Sequence, residues 1–200
     1  MKRLETDEEK LLFTEMKNGD NAAFRKIFDA YYKYLTVTAY RYLHDGEKAK
    51  DIAQDSFVEL WNRKESLSLT TGLKAYLRQT TVNKCLNYLK REKRMDFSEP
   101  AMLPETPAEA VGQKNLEYEQ TKNVIQNAVD NLPERCRIIF CMSRFEEKSH
   151  KEIAAALNIS VKTIENQMTR ALKALRAAVA KNTVLFIFFS EMLLLLRNAQ

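Results

Sequence analysis

Helix breakers are scarce in this 200-residue chain. It has four glycines and four prolines, and three of the prolines fall together at Pro100, Pro104 and Pro107. Both residue types interrupt regular structure, so breaks gathered in one place imply long helices interrupted once. Ala, Leu, Glu, Lys and Arg fill the periodic stretches, in line with helix propensity. The expected fold class is therefore all-α. With 45% hydrophobic residues there is enough apolar surface for real cores, in one domain or two small ones.

Charge divides the chain at the same place. Gly72–Arg94 carries seven Lys/Arg against one Glu, and Val161–Lys181 carries five against one. Between them, Asp96–Gln120 holds six acidic residues and one Lys. The overall +5 is thus an average over two positive poles and a negative strap. Cations concentrated on helices are the footprint of a polyanion-gripping surface, and two of them suggest nucleic acid touched at two places.

Apolar spacing and capping residues predict the individual helices. Thr6-Asp7-Glu8-Glu9 has the form of a capping box opening a helix to about Lys17. Asp20 or Asn21 caps the next, whose stripe is Phe24, Ile27, Phe28, Tyr31, Leu35, Ala39 and Leu43, ended by His44-Asp45-Gly46. A third helix, Glu47–Asn62, turns Ile52, Ala53, Phe57, Leu60 and Trp61 inward and leaves Asp51, Gln54, Asp55, Val58 and Asn62 outside. A polar loop, Arg63–Thr71, leads to the first basic helix, which completes a four-helix bundle. After the linker come a helix over Leu116–Asp130, another from Pro133 to Arg144, a capping box at Ser149–Glu152, and a last helix capped by Ser160. The resulting plan is residues 1–95, a linker at 96–115, a second domain at 116–181 and a tail at 182–200.

The strongest chemical signal is residues 149–176, SHKEIAAALNISVKTIENQMTRALKALR. Two short helices crossing steeply over a tight turn need apolar residues at fixed positions, a small residue at the contact and a turn residue tolerant of positive φ. Ile153, Leu157, Ile159 and Ile164 supply the first, Ala154 the second, and Asn158 the third. The outward residues expected on the second helix are Lys162, Thr163, Asn166, Gln167, Arg170 and Lys173, donors suited to phosphates and to base edges in a major groove. This is a helix-turn-helix.

On the first basic helix, Leu73, Tyr76, Leu77, Thr80, Leu86, Tyr88 and Leu89 are expected to pack. Lys74, Arg78, Asn83, Lys84, Asn87, Lys90 and Arg91 make a positive polar side. Aromatic rings and amides among Lys and Arg suit single-stranded DNA, where rings stack and amides read edges. The helix before it has the opposite sign. Asp51, Gln54, Asp55 and Glu59 form an expected acidic face fit for a basic protein partner rather than for DNA. A charged face that is merely solvated remains the plain alternative for both helices.

Cys85, Cys136 and Cys141 are an odd number, and the stretch after Met1 is charged, so buried free thiols in the reducing cytosol are expected. With only His44 and His150 besides, no metal site and no cofactor is indicated. The chain offers no nucleophile–base pair and no phosphate-cradling glycine loop, which argues against an enzyme.

DIAQDSFVELWNRK (51–64), LKAYLRQTTVNKCLNYLKREKR (73–94) and LPERCRIIFCMSRFEEKSHKEIAAALNISVKTIENQMTRALKALR (132–176) occur in this order. In these segments, over roughly residues 10–178, the chain resembles the bacterial RNA polymerase sigma factors of the extracytoplasmic-function group. The resemblance implies that 1–95 is sigma region 2 and 116–181 sigma region 4, joined by a flexible acidic linker. It implies that Asp51, Gln54, Asp55 and Trp61 dock on core RNA polymerase, with Gln54-Asp55 standing where Gln-Glu is common. It also implies that Arg63–Thr71 and the helix after it, including Asn83, capture the melted minus-ten strand. Lys162, Thr163, Asn166, Arg170 and Lys173 would read the minus-thirty-five element as duplex, and a membrane-bound anti-sigma factor would hold the protein in check. The competing reading is a helix-turn-helix regulator whose first domain is a sensor or dimerisation bundle.

The tail departs from that family pattern. Thr183–Leu196, TVLFIFFSEMLLLL, is nearly all apolar but only fourteen residues long, about 21 Å as a helix, and is interrupted by Ser190 and Glu191. That is short of the ~30 Å of a bilayer core. It is expected to pack back on the second domain, to contact a partner, or to rest at a membrane surface. A membrane-associated adaptor would rest on this tail alone.

Overall fold

The computed structural model describes residues 6–69, 72–91 and 126–179, and every regular element among them is helical. Contacts divide the chain into two compact units at Met95/Asp96. The first holds α1 (Thr6–Lys17), α2 (Asn21–Leu43), α3 (Gly46–Arg63) and α4 (Leu73–Arg91). The second holds a helical turn at 126–130, then α5 (Glu134–Arg144), α6 (His150–Leu157) and α7 (Val161–Val179). The linker, the apolar tail and the 116–125 part of the expected Leu116–Asp130 helix lie outside the described residues.

The first unit begins and ends its helices where short polar side chains replace missing backbone partners. Asp20 accepts from the Ala22 amide at 2.7 Å to open α2. Asp45 accepts from the Lys48 amide at 3.0 Å to open α3. Between them His44 closes α2 in the left-handed region at φ 50°, its N–H donating to the Tyr40 carbonyl at 2.8 Å. The stripe read on α2 is the core: Ile27, Tyr31, Leu35, Ala39 and Leu43 are buried. Phe24 and Phe28 border it, with ring centroids 6.4 and 4.7 Å from Phe57 of α3.

α4 packs against both α2 and α3, so its buried arc is wider than a single stripe. Leu73, Leu77, Thr80, Cys85, Leu86 and Leu89 are buried as expected, and so are Thr81 and Val82, which had been assigned to neither side. Tyr76 and Tyr88, assigned above to the packed side, are only half-buried. They border the arc, where Tyr88 receives Lys48 Nζ 4.8 Å from its ring centre. Two buried hydroxyls between α3 and α4 are paired: Thr81 Oγ1 lies 3.0 Å from Ser56 Oγ and 2.9 Å from the Leu77 carbonyl. This avoids the cost of an unmatched polar group between two helices.

In the second unit α5 is central. Cys136, Arg137, Ile138, Ile139, Phe140, Cys141 and Met142 are all buried, the mark of a helix covered on every side. Pro133 occupies its cap position without a side-chain bond. The Arg137 guanidinium is tolerated inside because it donates to the Leu132 carbonyl at 3.3 Å and lies 4.0 Å from Glu134.

Candidate nucleic-acid interface

The turn between α6 and α7 is built as the spacing anticipated. Ser149 and Glu152 form a reciprocal capping box: Ser149 Oγ accepts from the Glu152 amide and Glu152 Oε2 accepts from the Ser149 amide at 2.8 Å. The Ser149 hydroxyl and amide hold the Glu152 carboxyl below the usual carboxylate range. Asn158 stands at φ 58°, ψ 48°, and its N–H returns to the carbonyls of Ala154 and Ala155. An L-residue with a short amide tolerates that left-handed conformation better than most. Ser160 Oγ then accepts the Thr163 amide at 3.0 Å, which opens α7.

Inside this turn Ile153, Ala154 and Leu157 of α6 are buried, as are Ile164, Met168, Ala171 and Leu175 of α7. Ile159, expected in the core, is half-buried. Outside, Lys162, Asn166 and Lys173 are exposed, while Thr163 and Arg170 are half-buried beside them. The one acid of α7, Glu165, sits 3.5 Å from Lys162 in an exposed pair of little energetic weight.

Gln167 is on the inner face of α7. Placed on the outer face above, it is only 2% exposed, and its Oε1 lies 2.9 Å from the Cys136 thiol, which donates to it. Position 167 follows Ile164 by three residues and precedes Ala171 by four, so it belongs to the inner stripe whatever its polarity. Burial pushes the Cys136 thiol up from its ordinary value.

The basic face of α4 is less free than its composition suggests. Lys84 Nζ lies 3.0 Å from Glu59 Oε2 of α3, and Arg63 Nη1 lies 3.1 Å from Glu59 Oε1. Hydrogen bonding to Lys84, then to Arg63, holds the Glu59 carboxyl below its usual range. Glu59 was expected on the exposed acidic face; it is half-buried and turned toward α4. Lys74 Nζ stands 4.9 Å over the Tyr34 ring. Asn83 is exposed, with its Oδ1 accepting from Gln79 at 2.8 Å. Arg78 is half-buried, and Asn87 and Arg91 are exposed.

On α3 the acidic face stands out cleanly. Asp51, Gln54 and Asp55 are exposed in one stripe with Asn62. Val58 lies in the middle of that stripe, 55% exposed. It was read as outward but not as part of the site. Its position three residues after Asp55 and four after Gln54 was the available signal. Trp61 lies at the border of this face. Half-buried, it packs edge-on to Phe24 at 5.1 Å, and Lys64 Nζ covers its ring at 3.9 Å.

Set against known proteins, the two units find separate matches. The family model for sigma-70 region 2 matches residues 27–95, and that for sigma-70 region 4 matches residues 122–175. Together they account for more than half of the chain. The chain is 27% identical over 177 residues to the ECF RNA polymerase sigma factor SigW of Bacillus subtilis, covering 81% of this chain and 91% of that protein. It is 22% identical over 183 residues to the ECF RNA polymerase sigma-E factor of Salmonella typhimurium, covering 84% and 92%. Among solved structures it is similar to the sigma factor RpoE of Bartonella quintana in complex with the anti-sigma factor NepR. That match has a TM-score of 0.47 and 20% identity over 80% of this chain and 98% of that one.

Proposed function

This chain belongs to the sigma-70 family, within its extracytoplasmic-function group, and directs the initiation of transcription by RNA polymerase; from that premise we propose how its two units divide the promoter. The α6–α7 unit grips intact duplex at the upstream, minus-thirty-five element. Lys162, Thr163, Asn166, Arg170 and Lys173 supply the phosphate and base-edge contacts. The first unit takes the downstream strand once it is melted, with residues 64–69 (the described part of the 63–71 loop) and the α4 side chains Arg78, Asn83, Asn87 and Arg91 facing it, and Lys74 and Lys84 joining them on leaving the Tyr34 ring and Glu59. Its α3 face, Asp51, Gln54 and Asp55 with Val58 among them, docks on core polymerase together with Trp61, which is half-buried and steadied by the Phe24 ring.

The work is differential binding rather than chemistry, so the protein acts as an initiation factor and not as an enzyme. Unstacked bases held by the first unit offset a melting cost of a few kcal/mol per step. The second unit supplies register and duplex affinity. Its place of action is the cytoplasm, with core polymerase and promoter DNA as partners and an anti-sigma protein as restraint. Among the described residues no helix is long and apolar enough to cross a membrane. The apolar tail would serve as a contact for a partner or a membrane surface.

The observation that carries this division is the α7 stripe of Lys162, Thr163, Asn166, Arg170 and Lys173, displayed from a turn held by a left-handed Asn158 and two serine caps. The test is reconstitution. The purified chain added to core RNA polymerase alone should give specific initiation in a run-off assay. A helix-turn-helix regulator would instead give product only when another sigma factor was present, which would refute the proposal.

A further inference from the structure

α1 lies outside the stretch matched by the sigma-70 region 2 model, which begins at residue 27. Yet it bonds to the segment between α3 and α4 at one end and approaches it at the other. Lys17, the last residue of α1, donates its ammonium to the Leu67 carbonyl at 2.9 Å, across fifty residues of sequence. The ammonium also stands 5.3 Å from the centre of the Phe13 ring, so the lysine head is held between a ring and a carbonyl. Near the other end of α1, Glu9 accepts a hydrogen bond from Tyr31, which is buried in the core. The second oxygen of Glu9 lies 3.7 Å from where a Cβ on Gly72 would stand, beside the first turn of α4. Gly72 itself is at φ +85°, a conformation that few side-chain-bearing residues adopt. Leu67 and Leu69 complete the attachment by packing against the core cluster that includes Leu12, Phe13 and Met16 of α1.

A surface segment with no regular hydrogen bonding has to be ordered before it can hold a flipped base, and ordering costs binding free energy. Here a local turn, in which the Ser66 and Leu67 amides donate to the Arg63 carbonyl at 3.0 and 3.1 Å, sets residues 64–67, and α1 adds the attachment at Leu67 that ties this turn to the core. We propose that α1 is a positioning element for strand capture, with Lys17 fixing the Leu67 carbonyl and thereby the path of residues 64–69. The inference rests on the reading of those residues as part of the surface that takes the melted strand. Lys17 acts through the backbone it holds and need not touch DNA. Arg at position 17 would keep a donor within reach of the carbonyl. Met would keep the apolar stem against Phe13 and lose the bond.

The experiment uses the full chain assembled with core RNA polymerase on a promoter fragment that the wild-type holoenzyme transcribes. Permanganate reactivity of unpaired thymines reports capture of the melted strand, and amide exchange at residues 64–69 of the free chain reports their ordering. Lys17→Met should lower permanganate reactivity about tenfold, the scale of one lost charge-assisted bond. It should also raise exchange at 64–69 while leaving affinity for core polymerase unchanged, and Lys17→Arg should restore most of the reactivity. Unchanged reactivity in Lys17→Met overturns the proposal. So does a loss accompanied by an equal loss of core affinity, or one that Arg fails to rescue, since either would mark a general folding role. Ser68→Asp, an exposed substitution in the same segment, separates the two levels. If it abolishes capture while Lys17→Met does not, only the brace is wrong. If it leaves capture intact, the underlying reading of residues 64–69 fails and the brace with it.

Discussion

The two basic helices look alike in composition and are used differently by the fold. On α4, cations are turned back onto the protein: Lys84 meets Glu59 at 3.0 Å, and Lys74 sits over the Tyr34 ring at 4.9 Å. On α7, Lys162 and Lys173 stand in solvent, with one loose neighbour at Glu165. The difference follows from packing. α4 is enclosed by α2 and α3, so long side chains leaving its buried arc meet other helices. The outer half of α7 has no covering helix among the described residues. A count of Lys and Arg therefore overstates the positive field of the first unit and describes that of the second more fairly.

Several substitutions would break or sharpen this contrast. The largest effect should come from Phe57→Ala, which empties the ring space shared with Phe24 and Phe28 and should cost the first unit ~3–5 kcal/mol. Denaturant unfolding followed separately for each unit checks it, and a second-unit transition that moved as far would contradict independent cores. Next, Arg170→Ala should weaken duplex binding by about 1–3 kcal/mol if the guanidinium reaches a base edge. Holoenzyme gel shifts on an upstream-element duplex measure this, and unchanged affinity would remove Arg170 from the interface.

Lys84→Met should destabilise the first unit by roughly 1–2 kcal/mol, because it leaves the half-buried Glu59 with Arg63 alone. The pH dependence has a definite sign. The carboxyl of Glu59 is held below its ordinary value, so its contribution is present above the ordinary carboxylate range and is lost as pH falls through the lowered one. The acid limb of the stability curve should therefore be shallower in Lys84→Met than in the wild type. The smallest change in stability should be that of Lys173→Ala, within ~0.5 kcal/mol, since the side chain is exposed. The same substitution should reduce the salt slope of duplex binding by about 1. If Lys173→Ala destabilised the protein as much as Lys84→Met, the two helices would not differ in the way described.

Helix boundaries were highly legible because their signals are local. Asp20, Asp45, Ser149, Asn158 and Ser160 each act within four residues of where they stand, and each does what its type suggests. The stripe of α2 was equally readable, since one face meets the core. The gaps have a common cause. Thr81 was assigned to neither side and Gln167 was judged by polarity, but Thr81 is buried against Ser56 and Gln167 against Cys136. Their partners lie 25 and 31 residues away, beyond what spacing on one helix can reveal. Glu59 was misplaced for the same reason, since its partner Lys84 is on another helix. Lys17 carried no signal at all: a lysine ending an amphipathic helix is ordinary, and its acceptor is a main-chain oxygen. The acidic α3 face was legible except for Val58, an apolar residue where only charge was sought.

The three free cysteines are all buried, Cys85 in the first unit and Cys136 and Cys141 in the second. The Cys136 thiol is held in its protonated form by burial, and its hydrogen is engaged by Gln167. Alkylating reagents attack the thiolate, so each sulfur should react only when its own half of the molecule breathes open. The wild-type chain thus carries a built-in clock on either side of residue 95, able to time the opening of each half without any engineered label.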